Sequence, residues 1–564
     1  MMATLSIPPA IDELLVAASR HRGLSPSLTA GLASIVRSVM RAYAGTDVDL
    51  SQLVRALKKI GQCLTVDGSE AGADAAARED LAALARLLAR VVDRSIVPPR
   101  IEVAPAPAPV EVAEPPPREP VPIPTAWHFT RDVAVEHLDE AAFCRRRWDA
   151  ALCAPDYTAA EVQHGPEERL RAHLDALVLG GRPVADELLL PGLTDADPAI
   201  AFAAAWCLLA SEEGDFDDDV LGAFAAADDA RRPELARALA LAPSRAVGDR
   251  LSQALLALAP PARSEAARLL TRWFARPAEI RGWLAGDDVA LAGGAVRGLG
   301  GDLSPWTDLL ERHLRAADPA VRAAAIRPGL CAGLVAAWDA CVGAATGPDP
   351  RVADLVALAT LGGAAERSAL ERALQLPAAR RAALFALGFS GRRRAAEVCL
   401  EFMDVPASDS SAEPALDLAV ARVAGEAFSA ITGLVIEGAF ARREPDGEDL
   451  DEAEPGPGRA TPAEARLPLP DGPLIRDWWS SAARRFEPDQ RYLGGAPLSA
   501  AALVQAIAAG PMRRRPSHAF ELAVRTRGAF FVDTADWVSR QRAALAATAV
   551  PLISDFTALF GAGD

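Results

Sequence analysis

Wherever this chain is periodic, its apolar residues recur at helical spacing. In 50–64, Leu50, Leu53, Val54, Leu57, Ile60 and Leu64 share one face, and in 80–93 Leu81, Leu84, Leu87, Leu88 and Val91 do the same. These amphipathic helices predict a small helical N-terminal module over 1–97. The pattern then stops at PPRIEVAPAPAPVEVAEPPPREPVPIP, with 11 prolines in 27 residues, too few donors for a packed element. It predicts a Pro-rich linker over 98–125. Helical spacing resumes over 126–441 and breaks again at 442–473, an acidic Pro/Gly-rich loop. Seven acids between Glu444 and Glu454 repel one another there and favour solvation. Helical patterns at 498–509, 513–525 and 534–549 predict a helical C-terminal cap over 474–564.

Between the two breaks the chain repeats itself. LTDADPAIAFAAAWCLLA (193–210), LRAADPAVRAAAIRPGL (314–330) and TGPDPRVADLVALATLGG (346–363) each carry Asp-Pro, a branched apolar residue two positions on, and an Ala-rich helical stretch. Asp197, Asp228, Asp287, Asp318 and Asp349, with Pro260 and Pro377, set a period of about 30 residues and about seven units. Asp accepts from free N–H groups at a helix start, and Pro in the first turn loses no bond there. Each Asp-Pro therefore predicts a helix start, and 30 residues accommodate two helices of 10 to 14. The fold expected is all-α: a HEAT-like α-solenoid of two-helix repeats, with the N-terminal helical domain separate.

Composition agrees and excludes more. Alanine is 123 of 564 residues while aromatics are 5%, which suits closely packed helices and not sandwiches or barrels. A formal charge of −17 argues against a nucleic-acid binder, whose affinity rests on neutralising phosphates. Among the cations 57 are Arg and two, Lys58 and Lys59, are Lys, a bias that fits GC-rich coding. Seven widely spaced cysteines form no C-x-x-C pair, no basic n-region precedes an apolar stretch, and no apolar run spans a membrane. A cytoplasmic protein is expected.

Several blocks together carry a resemblance: HLDEAAFCRRRWDAALCAPDYTAAEVQHGPEERLRAHLDALVLGG (137–181), AGEAFSAITGL (424–434), LPLPD (467–471), DWWSSAARRFEPDQRYLGG (477–495) and RRRPSHAFELAV (513–524). Over roughly 127–550 the chain resembles a proteobacterial family of HEAT-like-repeat proteins often encoded near type VI secretion components. The resemblance implies a secretion-associated accessory protein and supplies no catalytic residue. Residues 1–125 lie outside it.

A search for chemistry assigns no catalytic, cofactor or metal residue. There is no H-E-x-x-H, G-x-S-x-G or phosphate loop. Glu136, His137 and Glu140 share a helical face, but a metal there needs a ligand from a second helix, such as His173; a structural hydrogen bond is the simpler expectation. The Arg triplets 145–147, 392–394 and 513–515 are expected on solvated faces paired with nearby acids. Trp478, Trp479, Arg491 and Tyr492 stand out in an aromatic-poor chain. They are candidate partner-binding anchors, set against the reading that they cap the core. The expected function is a non-enzymatic protein-binding scaffold or adaptor whose partner is a secretion component or effector. Two alternatives stand beside it: an immunity protein sequestering a toxin, and a HEAT-fold enzyme acting on nucleic acid or protein.

Overall fold

A computed structural model describes residues 126–564 apart from 213–214, 243, 275, 405–413, 443–462, 548–555, 557 and 561–564. The expected helical module over 1–97, the linker 98–125 and the acidic run Glu444–Glu454 lie outside the described residues.

The chain enters through α1 (Ala126–Leu152). A capped turn at Thr158 and a π-helical turn, Gln163–Glu167, lead into α2 (Glu168–Leu179), which packs against α1. Helical pairs follow at the expected period: α3 (Pro198–Ala210) with α4 (Asp217–Ala226), α5 (Arg231–Leu241) with α6 (Arg245–Ala254), α7 (Pro260–Trp273) with α8 (Pro277–Ala285), and α9 (Val289–Gly298) with α10 (Thr307–Leu314). Next come α11 (Pro319–Ala332) with α12 (Val335–Ala345), α13 (Val352–Leu361) with α14 (Ala364–Ala373), and α15 (Pro377–Ser390) with α16 (Arg393–Leu400), before α17 (Pro414–Thr432) and α18 (Gly472–Ala482).

Two of the five aspartates that set the period cap helices as expected; Asp228 lies two residues before the α5 N-cap, Ala230, and accepts from Arg231 N, and two more registers differ. Asp197 accepts from Ala199 N, and Asp318 from Ala320 N and Val321 N, each with Pro in the first turn. In the third register the cap is Asp288 and not Asp287, accepting from Ala290 N and Leu291 N. Asp349-Pro350 starts no helix; it sits in the turn ahead of α13, which begins at Val352 without a side-chain cap.

The even-numbered helices pack on an odd neighbour in sequence, α4 on α3, α6 on α7, α8 on α9, α10 on α11, α12 on α11, α14 on α13 and α16 on α15, and the odd-numbered helices stack into one layer: α1 on α3, α3 on α5, α5 on α7, α7 on α9, α9 on α11, α13 on α15 and α15 on α17. Small residues set this spacing. Ala201, Ala203, Ala204 and Ala205 of α3 are wholly buried, and Gly294 of α9 lies so close to α7 that a Cβ would strike the Ser264 carbonyl oxygen and come within 2.8 Å of the Ala267 Cβ. The result is an all-α HEAT-like array, in which the strands among the described residues are the two-residue pair β1 (Tyr492–Leu493) and β2 (Ala496–Pro497).

After α18, which packs on α16, the chain continues into a C-terminal segment that turns back onto the array. Its remaining helices are α19 (Ala500–Ala509), α20 (Arg515–Arg525) and α21 (Val538–Ala547). Arg514 stacks 3.9 Å from the Phe389 ring of α15, α20 packs on α11 and α13, and Asp533 pairs with Arg272 of α7. Trp537 stacks on Trp148 of α1 at 4.9 Å and donates to Leu241 O at the end of α5. The segment therefore lies along the odd layer from one end to the other. It also fastens those ends together, because Arg513 donates through its backbone N–H to Ala154 O after α1 while its side chain pairs with Glu426 of α17.

Candidate functional site

Where the C-terminal segment bridges α7, α9, α11 and α13 it leaves a cavity of about 740 Å³, within the size range of ligand sites. Five arginines line it, Arg268, Arg272, Arg297, Arg327 and Arg351, against two carboxylates, Asp354 and Asp533. In a chain with formal charge −17 this is a local inversion of sign. A concave site with low-dielectric walls focuses such a field on an entering anion.

The repeat places these side chains. Arg268 and Arg272 are one turn apart on α7, Arg297 ends α9, Arg327 and Cys331 are one turn apart on α11, and Arg351 precedes α13. Four of the arginines are engaged. Arg268 donates to Glu265 at 2.7 Å, Arg297 to Ser264 Oγ at 3.1 Å, and Arg351 grips Asp354 through two bonds of 2.7 and 2.8 Å. Arg272 lies 4.1 Å from the Phe531 ring centre and 3.7 Å from Asp533. Arg327 differs. Its guanidinium stacks over Phe520 at 4.8 Å and has no hydrogen-bond or ionic partner among the described residues. Burial pushes Arg272 below the usual guanidinium range, with Asp533 opposing. Arg272 is half-buried while Arg327 is exposed, and both guanidiniums stay charged at neutral pH.

The cavity's thiol and its buried carboxylate are both held in inactive states. Burial pushes the Cys331 thiol up to about 11, so it is not a thiolate near neutrality, and Asp354 is held in its arginine fork. Arg327 had no distinguishing signal in the sequence. It lies in the repeat AVRAAAIRPGL, and only α20 arriving from some 190 residues downstream gives it an aromatic neighbour.

The four candidate anchors from the sequence fall elsewhere, around the end of the array. Trp479 and Tyr492 are buried and join Phe428 and Phe486 in one aromatic cluster, with ring centres 4.9 to 5.4 Å apart. Arg491, 3% exposed, is committed internally: Nε donates to Ser390 O, Nη2 to Phe389 O, and both Nη atoms to Glu521. Trp478 alone of the four is half-buried, with Arg485 stacked 5.4 Å above its ring.

Six of the nine triplet arginines pair with acids, Arg145, Arg146, Arg393, Arg394, Arg513 and Arg514, while Arg392 and Arg515 bond backbone carbonyls instead, and three members are buried. Arg145 is buried against Trp148 and Phe202 and bonded to Glu234. Arg514 and Arg515 are buried where the C-terminal segment crosses the array, and burial pushes both down to about 10. The loop 442–473 also needs correction at its end. From Ala463 onward it is bonded, with Glu464 accepting from Arg513 and Arg466 reaching Asp156.

No protein-family model matches the chain, and no curated protein matches it. Among solved structures it is similar to human deoxyhypusine hydroxylase in complex with glycerol, at 14% identity, with 54% of this chain and 99% of that chain covered and a TM-score of 0.20. No helix among the described residues is long and apolar enough to cross a membrane.

Proposed function

We propose that the protein is a non-enzymatic, cytoplasmic protein-binding scaffold or adaptor that holds its partner through an anionic element of that partner received by the arginine-lined cavity. One observation carries this reading: Arg327, stacked on Phe520 with no hydrogen-bonded or directly ion-paired acid among the described residues, in a cavity where five arginines face two aspartates. A guanidinium on an aromatic face, with its donors free, is the arrangement by which carboxylates and phosphates are recognised. Support for binding over catalysis comes from the suppressed Cys331 thiolate and the locked Asp354.

The family resemblance makes a type VI secretion component or effector the first partner to test. Affinity capture from the native host with the full chain and with Arg327→Glu is the experiment. The wild type is expected to recover a defined partner, and charge reversal to weaken recovery at least about tenfold while leaving the melting curve in place. A folded, monodisperse wild type that captures nothing specific refutes the scaffold. Equal capture by Arg327→Glu refutes the cavity as the contact. Neutralisation of a neighbouring gene's toxicity would identify the adaptor as an immunity protein.

A further inference from the structure

The first helical hairpin brings together four metal-ligating side chains that the cavity does not use. His137, Glu140 and Cys144 stand at i, i+3 and i+7 on α1, which stacks them along one face, and α2 packs on that face with His173. His137 Nδ1 and His173 Nδ1 are 2.9 Å apart, and ligand atoms of Glu140, Cys144 and His173 all lie within 4.8 Å of one another. Among the described residues no other group of three His, Cys, Asp or Glu side chains converges this closely.

We propose that Glu140, Cys144 and His173 form a binding site for a zinc-class divalent cation, with His137 as the positioning residue that holds the His173 ring. The donor set is one thiolate, one imidazole and one carboxylate. That mixture suits a borderline-soft tetrahedral ion, whereas magnesium and calcium take oxygen ligands. Bonds of about 2.0 to 2.3 Å require ligand atoms roughly 3.3 to 3.8 Å apart, so the cluster must close by about 1 Å, which side-chain torsions supply. The shared Nδ1 contact fits the outer role of His137, since a ligating histidine hydrogen-bonds through its other ring nitrogen and thereby fixes its tautomer. A fourth position is left for water.

The surroundings are compatible with entry and discharge. Cys144 is buried, while His137, Glu140 and His173 are half-buried, so the ion approaches from the helix surface. Arg169 lies 4.0 Å from the Glu140 carboxylate at the solvent-facing side of the cluster. Cys144 ligates as the thiolate, so binding releases its proton to solvent. A histidine–histidine hydrogen bond alone accounts for the pair but not for a thiol and a carboxylate meeting at the same point.

The test is zinc and cobalt titration of the full chain after chelator treatment. One equivalent of Zn²⁺ is expected, with a thiolate-to-cobalt charge-transfer absorption when Co²⁺ replaces it. His173→Ala and Cys144→Ser should abolish that equivalent, and Glu140→Gln and His137→Ala should weaken it by about 10- to 100-fold. Absence of a stoichiometric equivalent in the wild type overturns the proposal. So does undiminished binding in a folded His173→Ala protein, which remains decisive if substitution of the buried Cys144 prevents folding.

Discussion

Replacing Arg491 with Ala tests whether this conspicuous arginine serves the fold or a partner. Its guanidinium and the Glu521 carboxylate are 3% and 2% exposed, with Nη1–Oε1 at 2.5 Å and Nη2–Oε2 at 3.2 Å. The same guanidinium satisfies the carbonyls of Phe389, Ser390 and Phe556 at 2.8 to 3.1 Å. These bonds tie the end of α15 to α20, so the arginine closes the C-terminal segment onto the array. Truncation leaves Glu521 with Arg525 as its remaining cation and strands those carbonyls in a dry interior. Breaking one side of a buried pair costs about 3–5 kcal/mol. Arg491→Lys keeps the charge but not the planar fork, and should cost roughly half as much. Urea unfolding followed by circular dichroism gives the loss, and amide exchange should show it concentrated in α15 and α20. An Arg491→Ala protein within about 1 kcal/mol of wild type that nevertheless loses its partner would refute the reasoning and make Arg491 a contact residue.

Two further outcomes follow from burial and spacing. The His518 ring packs against Phe389, and burial first, then Arg514, pushes its pKa down to about 3. Folded His518 is therefore neutral while the unfolded chain takes up a proton near pH 6.5, so stability falls as pH drops below about 6.5, by at most about 1.4 kcal/mol per unit until the folded pKa is reached. His518→Leu should flatten the stability slope between pH 6 and 4; identical slopes in the two proteins would show that the ring does not set it. Gly294→Ala should cost at least about 1–3 kcal/mol, because the Ser264 carbonyl cannot yield, whereas Gly222→Ala, on an open helical surface, should gain about 0.4–1 kcal/mol in the same denaturation assay. Similar effects at the two glycines would show that close approach of α7 and α9 does not set the repeat spacing.

The chain by itself determined the repeating unit. Asp caps, first-turn prolines and Ala-rich faces act within one turn or between adjacent turns, so their consequences are written in local spacing. That is why α3 and α11 begin where Asp-Pro says they should, and why the Ala-rich faces could be read as helix contacts. The hairpin cluster was half legible for the same reason: His137, Glu140 and Cys144 share a face by helical arithmetic, while the arrival of His173 depends on how α2 packs.

What the tertiary structure decided is where the C-terminal segment goes. Val538 N–H reaches the Glu167 carboxylate across 371 positions, Arg466 reaches Asp156 across 310, and Trp537 reaches Leu241 across 296. No local period encodes such pairings, because they join residues hundreds of positions apart that meet only when the segment packs on the stacked helices. That packing turns Arg514 and Arg515 from apparent surface charges into buried ones and commits Arg491 to Glu521. It also sets Arg327 under Phe520, beside a cavity whose sign is opposite to that of the chain as a whole.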